Sequence, residues 1–324
     1  MWREYHGAIG RGDFLTALST AARAVSLNKD RGDLRQAGIW QRALSNVLFL
    51  QGRYKEAVTE GKRALSLHVD NYEKALSLVE VANVQTYTGR YKSAFHYFNR
   101  ALVAAREYPG DVYLWTHFYG NRALAYNKTG QFDKAIIDWE GAADLLRAHG
   151  HLWRAAAYLN NIGYILMTAG HWKEAEQRVL EALELIEEDP HLHTEGVIYD
   201  SLGYVYTLMG QYVNAERFLR KSAKILESLD DKAQLAGTLL HLSELHQALR
   251  RYETARLEAS RALALATEID SESLRIEARD RLKGVMLGQL QEGLGNRLKA
   301  YRRFRYRISG IERSEGHGGP WTKG

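Results

Sequence analysis

The chain has 324 residues, a formal net charge of +5, three prolines and no cysteine. The lack of cysteine excludes disulfide bridges, zinc–thiolate sites and thiol catalysis, and so few prolines suit a protein of long helices. The opening "MWREYHGAIG" lacks the apolar run of a signal peptide, and no run of about 18 apolar residues could span a membrane. We therefore expect a cytoplasmic protein that makes no use of a membrane.

The positive charge is concentrated at one end of the sequence. Residues 296–324 hold eight Lys/Arg and two Asp/Glu, which gives +6, whereas the rest of the chain sums to −1. The body is therefore nearly neutral, and any attraction to acidic partners is expected at the C-terminal end.

A short pattern recurs along the chain at steps of 37 to 41 residues. Its turn position holds Gly12, Gly52, Gly89, Gly130, Gly170, Gly210 and then Arg250. Two residues later comes an aromatic: Phe14, Tyr54, Tyr91, Phe132, Trp172, Tyr212 or Tyr252. Five residues after the turn position there is always alanine, and seven before it, from Ser45 on, there is always a small residue. Such a period indicates tandem structural repeats.

Each repeated position has a physical reason within a helix–turn–helix unit. The glycine permits the backbone conformation that a sharp turn between helices requires. The aromatic opens the second helix, and the small residues on the two helices face each other so that the axes can approach to about 8–10 Å. Apolar residues at three- and four-residue spacing on both sides predict amphipathic helices.

The pattern resembles the tetratricopeptide repeat family, most densely at Tyr199, Leu202, Gly203, Tyr206, Ala215 and Leu219. The period is near 40 rather than 34 residues and the closing proline is missing, so we expect helices about one turn longer. Repeats of this length are similar to those of bacterial regulator sensor domains and peptide-pheromone receptors. The resemblance implies an all-α, right-handed α-solenoid of antiparallel helix pairs, with about seven repeats.

We predict one superhelical domain over residues 1–308 and a disordered tail over 309–324. Gly288, Gly295 and Ala300 fit the repeat weakly, which predicts a degenerate eighth repeat with a turn near 295, acting as a cap. Only eleven residues precede Gly12. Either the first helix is therefore short, or an upstream effector domain lies outside this chain.

No set of residues predicts catalysis, a metal or a cofactor. His241 and His246 do not have the spacing of a zinc-protease helix, and the recurrent glycines are turn residues rather than a phosphate-binding loop. We therefore predict a protein that is not an enzyme.

In a solenoid of this kind the first helix of each pair lines a concave groove, and asparagine is enriched at the groove positions. Asparagine amides can pair with the main chain of an extended peptide, and pheromone receptors, which this sequence resembles, use groove asparagines in this way. The candidate ligand-binding residues are Arg42, Asn46, Asn83, Tyr87, His117, Asn121, Asn127, Asn160, Asn161, Tyr164, Asp200, Tyr204 and His241. Glu80 would repel a ligand carboxylate, which argues against the two-carboxylate clamp of chaperone-binding relatives.

The basic segment "NRLKAYRRFRYRI" allows two interpretations. Its cations could contact nucleic acid or an acidic partner; they are Arg297, Lys299, Arg302, Arg303, Arg305 and Arg307. Alternatively, the segment is a capping helix whose arginine stems shield its neighbour.

We expect a non-catalytic protein- or peptide-binding module, a sensor or adaptor in bacterial signalling or transcriptional regulation. The alternatives are a nucleic-acid-associated regulator that uses the basic helix and a general assembly scaffold.

Overall fold

The computed structural model describes residues 1–68 and 70–314, with the side chains of residue 295 and residues 300–314 excepted. The described residues form fifteen helices and no strand. The chain divides into two compact units, which we call the N-terminal unit (residues 1–194) and the C-terminal unit (residues 195–324). The predicted single domain over residues 1–308 stays a prediction. Within the described range, no helix is both long and apolar enough to cross a membrane.

The N-terminal unit consists of consecutive antiparallel helix pairs. Its helices are α1 Trp2–Gly10, α2 Phe14–Asp30, α3 Leu34–Leu50, α4 Tyr54–Leu67, α5 Asn71–Tyr87, α6 Tyr91–Ala105, α7 Val112–Lys128, α8 Phe132–Ala148, α9 Leu152–Thr168 and α10 Trp172–Glu188. The C-terminal unit continues the same pattern. Its helices are α11 Leu192–Leu208, which begins three residues before the boundary of the unit, α12 Tyr212–Ser228, α13 Lys232–Ala248, α14 Tyr252–Glu268 and α15 Glu272–Ser314.

The first seven predicted turns form where the sequence places them. The six glycines have φ between 70° and 83°, the left-handed region that glycine enters at little cost. In the seventh turn Arg250 adopts φ 59°, and its Nη1 lies 2.9 Å from Glu292 Oε1. Each repeated aromatic is the first residue of an even-numbered helix. The all-α fold of tandem antiparallel helix pairs is therefore confirmed.

The small repeated residues hold the two helices of a pair together. Ser45 Oγ donates to the Ala57 carbonyl at 2.7 Å, and Ser243 Oγ donates to the Ala255 carbonyl at 2.8 Å. At Gly203 an added Cβ would stand 2.9 Å from the backbone nitrogen of Leu219. Larger side chains would force the helices apart, which explains why this position stays small.

Short polar caps fix where several odd-numbered helices start. Asp33, Asp70, Asp111 and Asp231 each accept a hydrogen bond from the backbone N–H three residues later. Such caps satisfy an otherwise unpaired donor of the first helical turn. The cap at Asp70 holds the Glu73 N–H at 2.8 Å and so sets the start of α5, on which the site described below depends.

The C-terminal helix differs from the prediction. Helix α15 runs without interruption from Glu272 to Ser314, so the turn predicted near Gly295 does not form. The residues around it are mostly strong helix formers, and a glycine inside a helix costs only about 1 kcal/mol. Residues 309–314, predicted to belong to a disordered tail, are part of this helix. Residues 315–324 lie outside the described residues.

Candidate functional site

An open cavity of about 360 Å³ lies on the face of the N-terminal unit formed by the odd-numbered helices. We call it the N-terminal cavity. Four helices, α1, α3, α5 and α7, contribute to its wall. The lining residues are Trp2, Tyr5, His6, Ile9, Ile39, Arg42, Ala43, Asn46, Glu80, Tyr113 and His117. They recur at helical spacing, so each helix turns one stripe of side chains toward the same space.

The polar centre of this wall is an arginine shared by two glutamates. Arg42 Nη2 lies 3.1 Å from Glu73 Oε2, and Arg42 Nη1 lies 3.3 Å from Glu80 Oε1. The three side chains are between 8% and 17% exposed. Two carboxylates therefore face one guanidinium at a site that is largely removed from water.

The cluster leaves hydrogen-bonding capacity unused. Glu80 Oε2 and Arg42 Nε are buried and have no hydrogen-bond partner among the described residues. A buried polar atom without a partner costs about 1–3 kcal/mol and calls for an explanation, which in a binding site is the ligand.

The electrostatics of the wall follow from burial. Burial raises the pKa of Glu80 to about 6, against the opposing pull of Arg42, and the neighbouring Glu73 adds to the rise. Burial and the positive charges of Arg42 and Arg154 lower the pKa of His117 to about 4. At neutral pH His117 is therefore uncharged, whereas Glu80 is mainly ionised.

Aromatic rings form the rest of the wall. Trp2 stacks on Trp40 with ring centroids 3.8 Å apart and on His6 at 5.5 Å, and Tyr113 lies 5.0 Å from His117. The Tyr5 hydroxyl donates to the Ala43 carbonyl at 3.1 Å and ties α1 to α3. The cavity thus combines apolar, aromatic and charged surface, as ligand sites do.

A second charged cluster lies in the C-terminal unit. His241 Nδ1 is 3.0 Å from both carboxylate oxygens of Asp200, and the Tyr204 ring stacks on the imidazole at 4.1 Å. Burial alone would lower the pKa of His241, but the charge and hydrogen bond of Asp200 outweigh it and raise the pKa. Glu244 and Glu277 add to the rise. We call Asp200, His241 and Tyr204 together the Asp200–His241–Tyr204 cluster.

The structure brings some of the predicted groove residues together. Arg42, Asn46 and His117 line the N-terminal cavity. Asn121 lies one turn from His117 and donates to its carbonyl at 2.7 Å. Asp200, Tyr204 and His241 meet in the C-terminal unit.

Other predicted residues lie elsewhere. Tyr87 contacts Phe49 and Tyr54, at ring centroid distances of 4.9 and 6.4 Å, beside the helix-pair turn rather than in the cavity. Asn127 lies near the end of α7, and Asn83 is one turn beyond Glu80 with a buried Oδ1 that has no partner among the described residues.

The two adjacent asparagines of α9 face different ways. Asn160 is only 6% exposed, with a buried Oδ1 that lacks a partner within the described range, whereas Asn161 and Tyr164 are exposed. Of the pair, only Asn161 is open to a ligand.

The basic segment is described in part. Arg297 and Lys299 are exposed on α15, beside an exposed apolar stripe of Met286, Leu290, Leu294 and Leu298. The side chains of Arg302, Arg303, Arg305 and Arg307 lie outside the described residues.

Several lining residues are not among the sequence candidates. Trp2, Tyr5 and His6 precede the first repeat turn, and Tyr113 lies 17 residues before its own, outside the groove positions. Glu80 stands at a groove position, but in the sequence it serves only as an argument against a carboxylate clamp. A search for charged residues at equivalent positions of neighbouring repeats would have paired it with Arg42. As for metals, no group of three or more His, Cys, Asp or Glu side chains in the described residues could hold an ion.

The family model described as "Tetratricopeptide repeat" matches residues 155–188. Residues 155–188 cover most of α9 and all of α10, so one helix pair of the chain matches this repeat in sequence. The family is generally a non-enzymatic repeat scaffold. No curated protein matches the sequence.

Solved structures share the fold at low identity. A STAND signal-transduction ATPase with a tetratricopeptide repeat sensor, from Pyrococcus horikoshii, is 15% identical with a TM-score of 0.68 over 96% of this chain and 47% of that chain. BtubC from P. vanneervenii is 21% identical, with a TM-score of 0.55 over 68% of this chain and 91% of that one. A Rap protein complexed with Competence and Sporulation Factor is 18% identical. Its TM-score is 0.55, over 86% of this chain and 87% of that chain. At such identities the likeness establishes the fold.

Proposed function

We propose that this tetratricopeptide protein is a non-catalytic module that binds a peptide or a protein segment at the N-terminal cavity. The observation that carries the proposal is the open cavity with its aromatic wall and its unpartnered buried carboxylate oxygen. A surface whose polar groups all hydrogen-bond to one another offers few contacts to a ligand. The wall of this cavity has hydrogen-bond donors and acceptors without a partner among the described residues.

The structural neighbours support the same class of function. One is the tetratricopeptide sensor of a signal-transduction ATPase, and another is a Rap protein complexed with a factor. We therefore propose a cytoplasmic sensor or adaptor in bacterial signalling or transcriptional regulation. The other predicted groove residues of the N-terminal unit, including Asn121 and Asn161, are proposed as further ligand contacts, and the Asp200–His241–Tyr204 cluster is proposed as a separate contact of the C-terminal unit.

A displayed library of random 12-residue peptides tests this proposal directly. Peptides enriched on the intact protein should lose at least tenfold in affinity when Asn46→Tyr fills the mouth of the N-terminal cavity. The matched control is Asn99→Tyr, the same substitution at an exposed asparagine of α6 that neither lines the cavity nor belongs to the proposed contacts. Enrichment of no peptide, or equal binding to the wild type and Asn46→Tyr, would count against the proposal.

A second candidate is an interaction of the basic end of α15 with nucleic acid or an acidic partner. The exposure of Arg297 and Lys299 favours it. A salt-sensitive shift of DNA or RNA that is lost on deleting residues 296–324 would support this function. No shift by the intact protein at low salt would remove it.

A further inference from the structure

We propose that the N-terminal cavity receives a positively charged side chain, arginine or lysine, from the bound peptide, with Glu80 as its counter-charge. This inference rests on the proposed function, since it specifies the chemistry of the ligand at the same site.

The first step is the balance of charge. Arg42 is the only cation in direct contact with Glu73 and Glu80 in the described structure, so the cluster carries one negative charge in excess when both carboxylates are ionised. Low exposure weakens the screening of that charge by water, and a cation that enters the cavity is attracted more strongly than at an open surface.

The second step concerns hydrogen bonds. Both terminal nitrogens of Arg42 are already directed at carboxylates, while Glu80 Oε2 has no donor among the described residues. The wall therefore offers a free carboxylate oxygen as an acceptor, beside one unpartnered donor in the described structure, Arg42 Nε. Guanidinium and ammonium groups carry only donors, and they complement such a wall.

The third step is the aromatic surface. Trp2 and Tyr113 line the cavity and are 39% and 44% exposed, so part of each ring remains accessible. The face of an aromatic ring attracts a cation within about 6 Å of its centroid, and tryptophan does so best. The long apolar stem of arginine or lysine would pack on the same rings.

An anionic ligand group fits this wall poorly. It would add to the excess negative charge, and both terminal nitrogens of Arg42 already contact carboxylates. His117 offers no positive charge at neutral pH, since burial and the nearby arginines lower its pKa to about 4. The exposed amide of Asn46 can serve either kind of ligand and does not discriminate.

Matched peptides test the inference on the unmodified protein. Peptides enriched from the library are resynthesised with arginine, citrulline or glutamate at each cationic position in turn. Citrulline keeps the shape of arginine without its charge. At one position we expect citrulline to bind at least tenfold more weakly than arginine, and glutamate more weakly still.

Variants then assign the effect to Glu80. Glu80→Gln should reduce the preference for arginine over citrulline to less than threefold. Glu56→Gln is the matched control, because it removes the same charge from an exposed residue of α4 that does not contact the cluster, and it should leave the preference unchanged. The comparison of peptides on the wild type needs no variant, so it remains decisive if Glu80→Gln does not fold.

The possible results separate the two proposals. Peptides that bind at the cavity without distinguishing arginine from citrulline would overturn the inference and leave the proposed function standing. A preference that Glu80→Gln leaves intact, in a folded variant, would also overturn it. If no peptide binds at all, both proposals fail together.

Discussion

The two charged clusters of the molecule occupy the same positions of the repeat. Arg42 and Asp200 each stand ten residues before a turn residue, and their partners Glu80 and His241 each stand nine residues before the next one. The pairs are Arg42 with Glu80 and Asp200 with His241, so the signs of charge are exchanged. The repeat thus provides one geometric position for a charge pair that bridges neighbouring repeats.

The clusters differ in what covers them. Six residues before the turn, the C-terminal unit has Tyr204, whose ring stacks on His241, whereas the N-terminal unit has the exposed Asn46. Asp200 directly faces one basic partner, His241, whereas Arg42 faces two glutamates. One pair is covered by a stacked ring, and the other is open and has two carboxylates on one guanidinium. This difference, rather than the repeated scaffold, makes the N-terminal cluster the stronger candidate for a binding site.

The largest expected effect comes from removing the shared cation. Arg42→Met would leave Glu73 and Glu80 largely buried without a counter-charge, and we expect a loss of about 3–4 kcal/mol in the free energy of unfolding. Urea denaturation monitored by circular dichroism measures it. The control Arg35→Met removes an arginine that is 63% exposed and pairs with Asp70, and it should change stability little. Equal effects of the two variants would contradict the importance of burial at Arg42.

The next effect is on the pH dependence of stability. Burial lowers the pKa of His68 and of His117 to about 4, so between about pH 6.5 and 4 the unfolded chain binds protons that the folded chain does not. Stability must therefore fall as the pH falls through this window. The raised pKa of Glu80 acts in the opposite direction between about pH 6 and 4.5, and reduces the loss.

We expect these two histidines to contribute a loss of about 3–4 kcal/mol between pH 7 and 5, of which Glu80 offsets about 1 kcal/mol. The measurement is the difference in pH dependence between the wild type and the double variant His68→Gln, His117→Gln. Parallel pH profiles for the two proteins would show that the histidines are not held neutral.

A smaller effect is expected at the covered pair. Asp200→Asn leaves His241 without its counter-charge, and we expect stability to fall by about 1–2 kcal/mol, since both side chains are about one-fifth exposed. Without the Asp200 charge, the pKa of His241 should fall relative to that in the wild type, as an NMR titration would show. The control Asp230→Asn alters a carboxylate that is 83% exposed. An unchanged pKa of His241 would show that Asp200 does not set it.

The smallest effect is expected at the cover itself. Tyr204→Asn copies the arrangement at Asn46 and should cost less than about 1 kcal/mol, because a stacked ring is lost while the ion pair remains. The exposed area of His241 should rise, measured as faster carbethoxylation of its imidazole. If the modification rate does not change, Tyr204 is not what shields the histidine.

The scaffold could be predicted from the sequence because almost every repeat has the same residue types at the turn and at the contact between its two helices. The repeated residues either permit a turn or allow two helices to pack closely, as Gly52, Tyr54, Ala57 and Ser45 do in one repeat. Each has counterparts 37 to 41 residues away. Agreement among seven copies removes the ambiguity of any single one. The sequence predicts a turn near Gly295, where α15 is continuous. Gly295 stands at the turn position of the repeat, but the aromatic that follows the other turns is missing there.

The site was predictable only in part. That Arg42, Asp200 and His241 contact a ligand stays a prediction. Counting back from the turn residue gives the helix face on which they lie, where each pairs with a residue of the neighbouring repeat. It does not say what stands opposite, so Glu80 was not recognised as the partner of Arg42. Nor does it distinguish Asn160, which is buried, from Asn161, because adjacent residues of a helix differ by 100° and the boundary of a face depends on packing.

The short helix α1 gives the cavity a further property. At nine residues it is below the roughly 12–15 that an isolated helix needs to persist in water, so it stays folded through contacts such as Trp2 on Trp40 and Tyr5 on Ala43. The same helix supplies four of the lining side chains. A ligand that touches them must therefore also slow the opening of α1, and amide hydrogen exchange in residues 2–10 would report occupancy of the cavity without any label.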